Sequence, residues 1–367
     1  MDDEAPPARQ SAAPPAGEGR ALDVLIVSLG STGGLRTADE ELLASLRRAG
    51  AEAAIVRAEP PRRVRTLMLT DLLWALAARR ATQAQLRRTS ARTLVYSSTT
   101  AAFFWPRPGA IRFDALAAGN RPGRHGLWQR PLERRRLREA PLLLPWSDGA
   151  LGELRLPGHE LRAPPSIPTP NPALTLPVPI ESSVGPIEPS NGIAERDIAA
   201  FAYIANPAKK GLDGVLEAWS SAHRPGERLV LAGATEGDLR ARGYALPAQG
   251  VQVVPMLPYD EYRALLRRTQ VFVCAARRED YGIAQLEALA DGCILVTTPS
   301  PGPYVALPIA RALDPRLVGS DLAGALRMAL DAPAPDYAAR AERDLAPFRR
   351  AQVDRVVAEQ LLPRLLA

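Results

Sequence analysis

Two glutamates eight positions apart, Glu279 and Glu287, stand in the stretch "AARREDYGIAQLEALADGCILV" (275–296). Glu279 falls in the loop after an apolar strand, and Glu287 about one helical turn inside the helix that follows, so both carboxylates can face the same end of a sheet. Gly282 marks the start of that helix. The free N–H groups of a helix start, here those of Tyr281, Gly282 and Ile283, form a positive terminus suited to phosphate. Carboxylates accept paired O–H donors well, so their placement on either side of an anion site suits a ligand that also carries hydroxyls. A nucleotide sugar combines a ribose diol, a diphosphate and sugar hydroxyls in that order.

A second chemical signal is "IANPAKKGLDGVLEAW" (204–219). Lys209 and Lys210 are the only two lysines in the chain, and all other basic residues are arginine. A composition rich in Arg, Ala and Pro suggests a GC-rich genome, which disfavours lysine without any structural reason. Lysines kept against that bias suit a compact, flexible point charge that a rigid guanidinium fork replaces poorly. Taken alone, the pair also reads as solvated charge beside a helix start.

These residues need a frame, and the sequence predicts one. "LDVLIVSLG" (22–30) is a continuous apolar run of the kind buried in parallel sheets. A Gly-rich turn with Gly33 and Gly34 follows, then an amphipathic helix stopped at Gly50 and the strand "AEAAIVRA". The spacing falls short of a full G-x-G-x-x-G pattern. Next come a helix through "LMLTDLLWALAARRATQAQLRR", the strands "RTLVYSSTT" and "AIRFDAL", and the helix "PLERRRLREA". From Pro157 to Pro189 the chain is saturated with proline, which opposes helix and central strand alike and marks a domain boundary. The alternation then restarts with the strands "AAFAYIA", "RLVLAG", "VQVVPML", "VFVCAA" and "CILVTT", and with helices at "GLDGVLEAWSSA", "YDEYRALLRRT" and "YGIAQLEALADG". Strands alternating with helices predict an α/β fold of two Rossmann-like parallel-sheet domains facing a central cleft. The boundaries read as a disordered leader over 1–20, an N-terminal acceptor-side domain over 21–180, and a donor domain over 181–345. A helical segment over 346–367 with a break near Pro347 is expected to pack back toward the first domain.

Composition narrows the class. The chain has 367 residues, 46% hydrophobic and 23% charged, enough for two cores. No apolar run approaches the roughly 20 residues of a membrane span, and the first twenty residues lack the order of a signal peptide. Two cysteines, Cys274 and Cys293, and three scattered histidines offer neither a disulfide framework nor a metal set, which points to the cytoplasm. Net charge is +6, yet Arg57 to Arg138 holds eighteen arginines against four acids. That asymmetry fits an anionic partner: a membrane surface, a phosphorylated or lipid-linked acceptor, or nucleic acid. No nucleic-acid module accompanies it, so nucleic acid is not expected.

The C-terminal half resembles the retaining glycosyltransferases of family 4, which have the GT-B fold. The likeness rests on the E-x7-E arrangement with Gly282 three residues after the first Glu, on "LEALADGCILV", and on "KKGLDGVLEAW", "RLVLAG" and "YDEYRALLRRTQVFVCAARREDYGIAQLEALADG" in the family's order. The resemblance implies that Lys210 grips the donor diphosphate, that Glu279 meets the transferred sugar, and that Glu287 binds the ribose hydroxyls. It places the amides from Tyr281 to Ile283 on the phosphates and Met256 and Leu257 beside the base. The family's usual Arg before the Lys–Gly pair is absent here, and Asn206 or Lys209 stands in its place. In the N-terminal half only the architecture is similar: Gly33–Gly34 fit the family's Gly-rich first turn. No His aligns with the one many members place after a later strand; Asp114 occupies that neighbourhood and His125 lies some residues on. The implied activity is metal-independent transfer of a sugar from a nucleotide-diphosphate donor to an acceptor hydroxyl with retention, with no cofactor beyond the donor. A peripheral position on the inner face of the plasma membrane would follow if the Arg-rich region meets lipid. A nucleotide-sugar epimerase of the same fold, or a non-catalytic sugar-nucleotide-binding protein, are the alternatives.

Overall fold

The computed structural model describes residues 21–62, 64, 66–121, 123–155, 171–183, 193–247 and 250–367. The leader over 1–20, most of the proline-rich stretch and the segment 184–192 lie outside the described residues. Ten strands form two five-stranded sheets, β2-β1-β3-β4-β5 and β10-β9-β6-β7-β8, and every strand pair is parallel. In the first sheet these are β1 (Leu22–Ser28), β2 (Ala53–Arg57), β3 (Ala91–Tyr96), β4 (Ala110–Phe113) and β5 (Leu143–Pro145). The second contains β6 (Ile198–Tyr203), β7 (Leu229–Ala232), β8 (Val251–Val254), β9 (Thr269–Cys274) and β10 (Ile294–Thr297). Central strands such as β1 and β9 are buried on both faces, which is why they read as unbroken Val, Ile and Phe runs rather than as alternating patterns.

Local details differ from the sequence reading where side chains claim the backbone. The strand predicted over "RTLVYSSTT" ends at Tyr96, because Ser98 turns its hydroxyl to the N–H of Ala101 and caps a short helix, Thr99–Ala102. The helix after the lysines begins only at Leu212; the lysines themselves occupy the turn before it. Residues 300–335, without a prediction from sequence, supply the helices Ala306–Leu313 and Leu322–Asp331.

The end of the chain returns to the first domain. A 3-10 turn over Ala346–Phe348 interrupts the helical segment at Pro347, and the helix Arg350–Val356 follows. Val353, Val357, Leu361 and Leu365 share a buried cluster with Val24, Ile26, Leu42, Leu46 and Val95. Asp354 fastens this contact by accepting from Ser45 Oγ at 2.6 Å and from Arg48 Nε at 2.7 Å.

A buried column joins the two domains nearer the cleft. Arg112 of β4 donates to the carbonyl of Ala38 at 2.9 Å and lies 4.8 Å from the Trp146 ring centre. Trp146 meets Tyr281 edge-on at 5.3 Å, and the Tyr281 hydroxyl accepts from the Val178 N–H at 3.1 Å. A guanidinium on an aromatic face and an edge-to-face ring pair are both favourable beyond the area they bury. The column holds the Tyr281–Gly282 turn of the second domain against β4 and β5 of the first.

Candidate active site

Parallel sheets leave the carboxyl ends of their strands open for ligands. The two lysines emerge after β6 and the acidic pair after β9, its neighbour in the sheet. Lys210 Nζ lies 2.6 Å from Glu279 Oε2, and Lys209 Nζ lies 2.7 Å from Asp280 Oδ2. Consecutive lysines thus meet consecutive acids. The backbone makes this fit possible at Gly211, where φ is +64° and an added Cβ would sit 1.9 Å from the carbonyl oxygen of Ala275. The N–H of Arg277 donates to the Lys209 carbonyl at 3.0 Å and ties the two loops together. Asn206 organises the lysine turn: its side-chain oxygen accepts from the Lys209 N–H at 3.2 Å and its carbonyl from the Lys210 N–H at 2.9 Å.

Glu279 also accepts from Gln285 Nε2 at 3.0 Å, so its carboxylate is aimed by two donors. Gly282 caps the helix Ile283–Ala290 with φ +93°, and an added Cβ would lie 2.8 Å from the Tyr304 ring. As a glycine, the cap supplies no side-chain acceptor to the helix start. Gly34 of the first domain comes so close that an added Cβ would lie 3.1 Å from Ile283 Cδ1. The sequence reading places Gly33 and Gly34 in a turn before a helix. Here they open the helix Gly33–Arg48 itself, because Thr32 caps it by accepting from the Leu35 N–H. The two helix starts face each other across the cleft.

Glu287 is buried to the same extent as Glu279, 6% against 5% exposed. Its Oε1 accepts from the Tyr259 hydroxyl at 2.9 Å, and that hydroxyl accepts from Arg263 at 2.8 Å. Arg263 in turn grips Asp291 through two bonds of 2.7 Å and donates to the Glu181 carbonyl at 2.8 Å. Burial pushes the Glu287 carboxyl up to about 7, against the opposing pull of Arg263 and the Tyr259 hydroxyl. Tyr203, at the end of β6, places its hydroxyl 3.6 Å from the sulfur of Met256, which is 59% exposed; Leu257 is partly buried against the core. A cavity beside Glu287 is lined by Tyr259, Arg263, Ile283, Val178, Glu181 and Arg350.

The first domain contributes the segment after β4. Half-buried Asp114 is pushed up to about 6 by burial and then by the negative charge of Asp280, with Lys209 opposing. Asp280 is held below the usual carboxylate range: burial works against ionisation, and Lys209 and Arg278 outweigh it. Arg278 spans the domains, with Nε on Asp280 at 2.8 Å and Nη2 on Glu153 at 2.7 Å. Gly119 leaves the room it needs, since an added Cβ would lie 2.3 Å from that guanidinium. His125 is different. It stands exposed on the 3-10 turn Gly123–Gly126 beside exposed Leu127, and forms no hydrogen bond with the lysine–acid pairs.

The structure thus brings Asn206, Lys209, Lys210, Glu279, Tyr281, Gly282, Ile283, Gly33, Gly34 and Asp114 around one cleft, with Glu287, Met256 and Leu257 toward its far end. Sequence reasoning passed over Asp280, Arg278, Gln285 and Tyr259. The run "RRED" carried a signal for the first two, since charges flanking Glu279 share its loop. Tyr259 had none, because its meeting with Glu287 crosses from one helix to another.

Comparison with known proteins bears on this cleft. The model of the family "Glycosyl transferases group 1" covers residues 187–307. The match takes in about a third of the chain and falls in the second domain. A GDP-mannose:cellobiosyl-diphosphopolyprenol alpha-mannosyltransferase of Xanthomonas oryzae pv. oryzae is 38% identical over 91 residues, which span 23% of each chain. Solved structures align along nearly the whole molecule. WaaG, a glycosyltransferase involved in lipopolysaccharide biosynthesis, superposes with a TM-score of 0.66 at 16% identity, covering 92% of this chain and 99% of its own. Sucrose-phosphate synthase from Thermosynechococcus elongatus gives 0.70 at 15%, covering 94% and 99%. Anabaena HepE in complex with UDP-glucose gives 0.62 at 12%, covering 92% and 98%. At these identities the structural likeness establishes the fold, which is GT-B, while the match over 187–307 includes the lysine turn and the acidic loop. No helix among the described residues is long and apolar enough to cross a membrane.

Proposed function

We propose that this protein transfers a hexosyl group from a nucleoside-diphosphate sugar to an acceptor hydroxyl, with retention and without a metal. The observation that carries the reading is the convergence of Lys210, Glu279 and the glycine-capped helix start at Gly282 within the region matching group 1 glycosyl transferases. In this reading Lys210 and the amides from Gly282 receive the diphosphate, and Glu287 receives the ribose diol, with the base toward Met256 and Leu257. Glu279, steadied by Lys210 and Gln285, meets the transferred sugar. The bond from the anomeric carbon to the diphosphate breaks as the acceptor oxygen adds on the same face, and the leaving phosphate takes the acceptor proton. Positive groups aimed at the leaving diphosphate stabilise the charge that develops there. Asp114, across the cleft, approaches the acceptor side.

The relative that acts on a diphosphopolyprenol and the charge of the first domain together favour a lipid-linked acceptor at an anionic membrane. Leu67, Leu69 and Leu127 are 46%, 42% and 60% exposed, and Asp71 ties their two segments together by accepting from Arg121 and Gln129. Arg62, Arg124 and Arg130 lie within five residues of one of them along the chain. Apolar side chains set among cations suit the interface of an anionic bilayer.

The test is a thermal-shift screen against UDP-, GDP- and ADP-sugars, followed by transfer with the stabilising donor and NMR of the product anomer. A ligand that binds only the folded state raises the melting point. Retained configuration in the presence of EDTA is the expected result. Donor binding with neither transfer nor hydrolysis would point to a non-catalytic binder.

A further inference from the structure

The loops of the second domain carry four cations near the donor cleft, and each is already matched. Lys209 pairs with Asp280, Lys210 with Glu279, Arg277 with Asp213, and Arg278 with Glu153 as well as Asp280. Four cations face four carboxylates, and Asp114 stands across the cleft as a further acid. A helix start adds only about half a positive charge. A diphosphate, with at least two negative charges, would meet a surface with almost no surplus to balance it.

Arg36 is the counterexample. It lies in the first turn of the helix Gly33–Arg48, is exposed, and among the described residues forms an ion pair with no carboxylate. Its Nη1 donates to the Gly30 carbonyl at 2.8 Å, which lays the side chain along the Gly-rich turn. The side chain lies in ordinary contact range of both glycines: a Cβ built on Gly30, whose φ is +58°, would be 3.5 Å from Arg36 Cγ, and one on Gly33 4.0 Å from Nη2. Two residues before Arg36, Gly34 abuts Ile283 at the glycine-capped helix start. The charge of Arg36 also reaches Tyr203 at the end of β6, where it opposes the upward push of burial and of Glu287 on that phenol. Arg36 therefore faces the second domain between its helix start and the end of β6.

We propose that Arg36 is the diphosphate-binding cation of this enzyme, supplied by the first domain to a phosphate site that Lys210 and the Gly282–Ile283 amides begin. The inference rests on the donor reading given above. The anchoring bond to Gly30 uses one guanidinium N–H and leaves the others to grip phosphate oxygens in the paired geometry that guanidinium favours. It also gives donor binding a reason to draw the domains together, because the phosphate is shared between them.

The test uses the full chain and calorimetry with UDP, GDP and ADP in turn, then the monophosphate of whichever diphosphate the wild type binds. Arg36→Ala is expected to weaken the diphosphate about ten- to thirtyfold and the monophosphate less than about threefold, with Arg36→Lys recovering part of the loss. The unliganded melting point should hold, since the side chain is exposed. Wild-type binding with an unchanged diphosphate-to-monophosphate ratio in Arg36→Ala overturns the assignment alone. A wild type that binds none of the three diphosphates overturns the donor reading and this assignment with it.

Discussion

In the second domain the groups that face the cleft come mainly from two short segments, 206–211 and 279–287, and their charges are paired one to one. In the first domain they come from scattered places: Gly33–Gly34 and Arg36 after β1, Asp114 and Gly119 after β4, Glu153 after β5. Two acids there are buried deeply enough that burial outweighs the arginines beside them, Arg112 at 3.7 Å from Asp39 and Arg121 acting on Glu133. Burial pushes Glu133 up to about 7 and Asp39 up to about 6. The same sheet plan thus serves two purposes. One domain concentrates its chemistry in a local motif that a single sequence displays; the other distributes it over a surface that only folding assembles. The family match, confined to 187–307, follows the same line.

The contrast can be broken most directly at Lys210. Lys210→Ala should lower turnover by roughly 10²- to 10³-fold, the scale of losing one preorganised charge contact, while Asp114→Asn in the other domain should cost much less. Steady-state kinetics with the donor found by screening would check both. Comparable losses at the two positions would mean that the chemistry is shared more evenly than the pairing suggests.

Gly211→Ala tests whether the paired geometry depends on the backbone. The substituted Cβ would strike the Ala275 carbonyl, a main-chain group that cannot swing aside, in a left-handed conformation as well. Destabilisation of about 3 kcal/mol or more is expected, measured by urea unfolding.

A smaller effect concerns the first domain. Glu133 is fully buried, with both oxygens accepting from the Ala117 N–H, and its carboxyl is raised from the ordinary 4.5 to about 7. Between those values the folded state holds a proton that the unfolded state has released, so stability falls as pH rises through this window and the full cost is present above it. Glu133→Gln should therefore raise stability by on the order of 2 kcal/mol at pH 8 and leave it unchanged at pH 4. Equal gains at both pH values would remove the buried charge from the explanation.

The least effect is expected at the exposed leucines of the first domain. Replacing Leu69 and Leu127 by Ser should lower flotation with anionic vesicles by about threefold to tenfold without altering transfer to a soluble acceptor. Unchanged flotation would leave the Arg-rich region as an ordinary solvated surface.

Much of the second domain could be read directly from sequence, because its strands are continuous apolar runs and its site residues lie at the ends of those strands. Glu279, Gly282 and Glu287 are positioned by one strand-turn-helix unit, so their spacing carries their geometry. Lys210 needed one further step, the neighbouring of β6 and β9 in the sheet. His125 shows where such reasoning thins out. A histidine at a plausible chain position stands exposed on a turn, and no local pattern reported its direction.

By itself the sequence determined the two α/β sheets, the proline-rich division and the local unit that carries both glutamates, because strand burial, helix caps and glycine turns are short-range consequences of residue type. Tertiary structure decided the partners. Lys209 found Asp280 and Lys210 found Glu279 across some seventy residues; Tyr259 found Glu287 from another helix, and Arg36 came to face the second domain from the first. Charge pairing over such separations depends on which loop tips the sheets bring within a few ångströms, and Coulomb attraction acts on that distance whatever the separation along the chain.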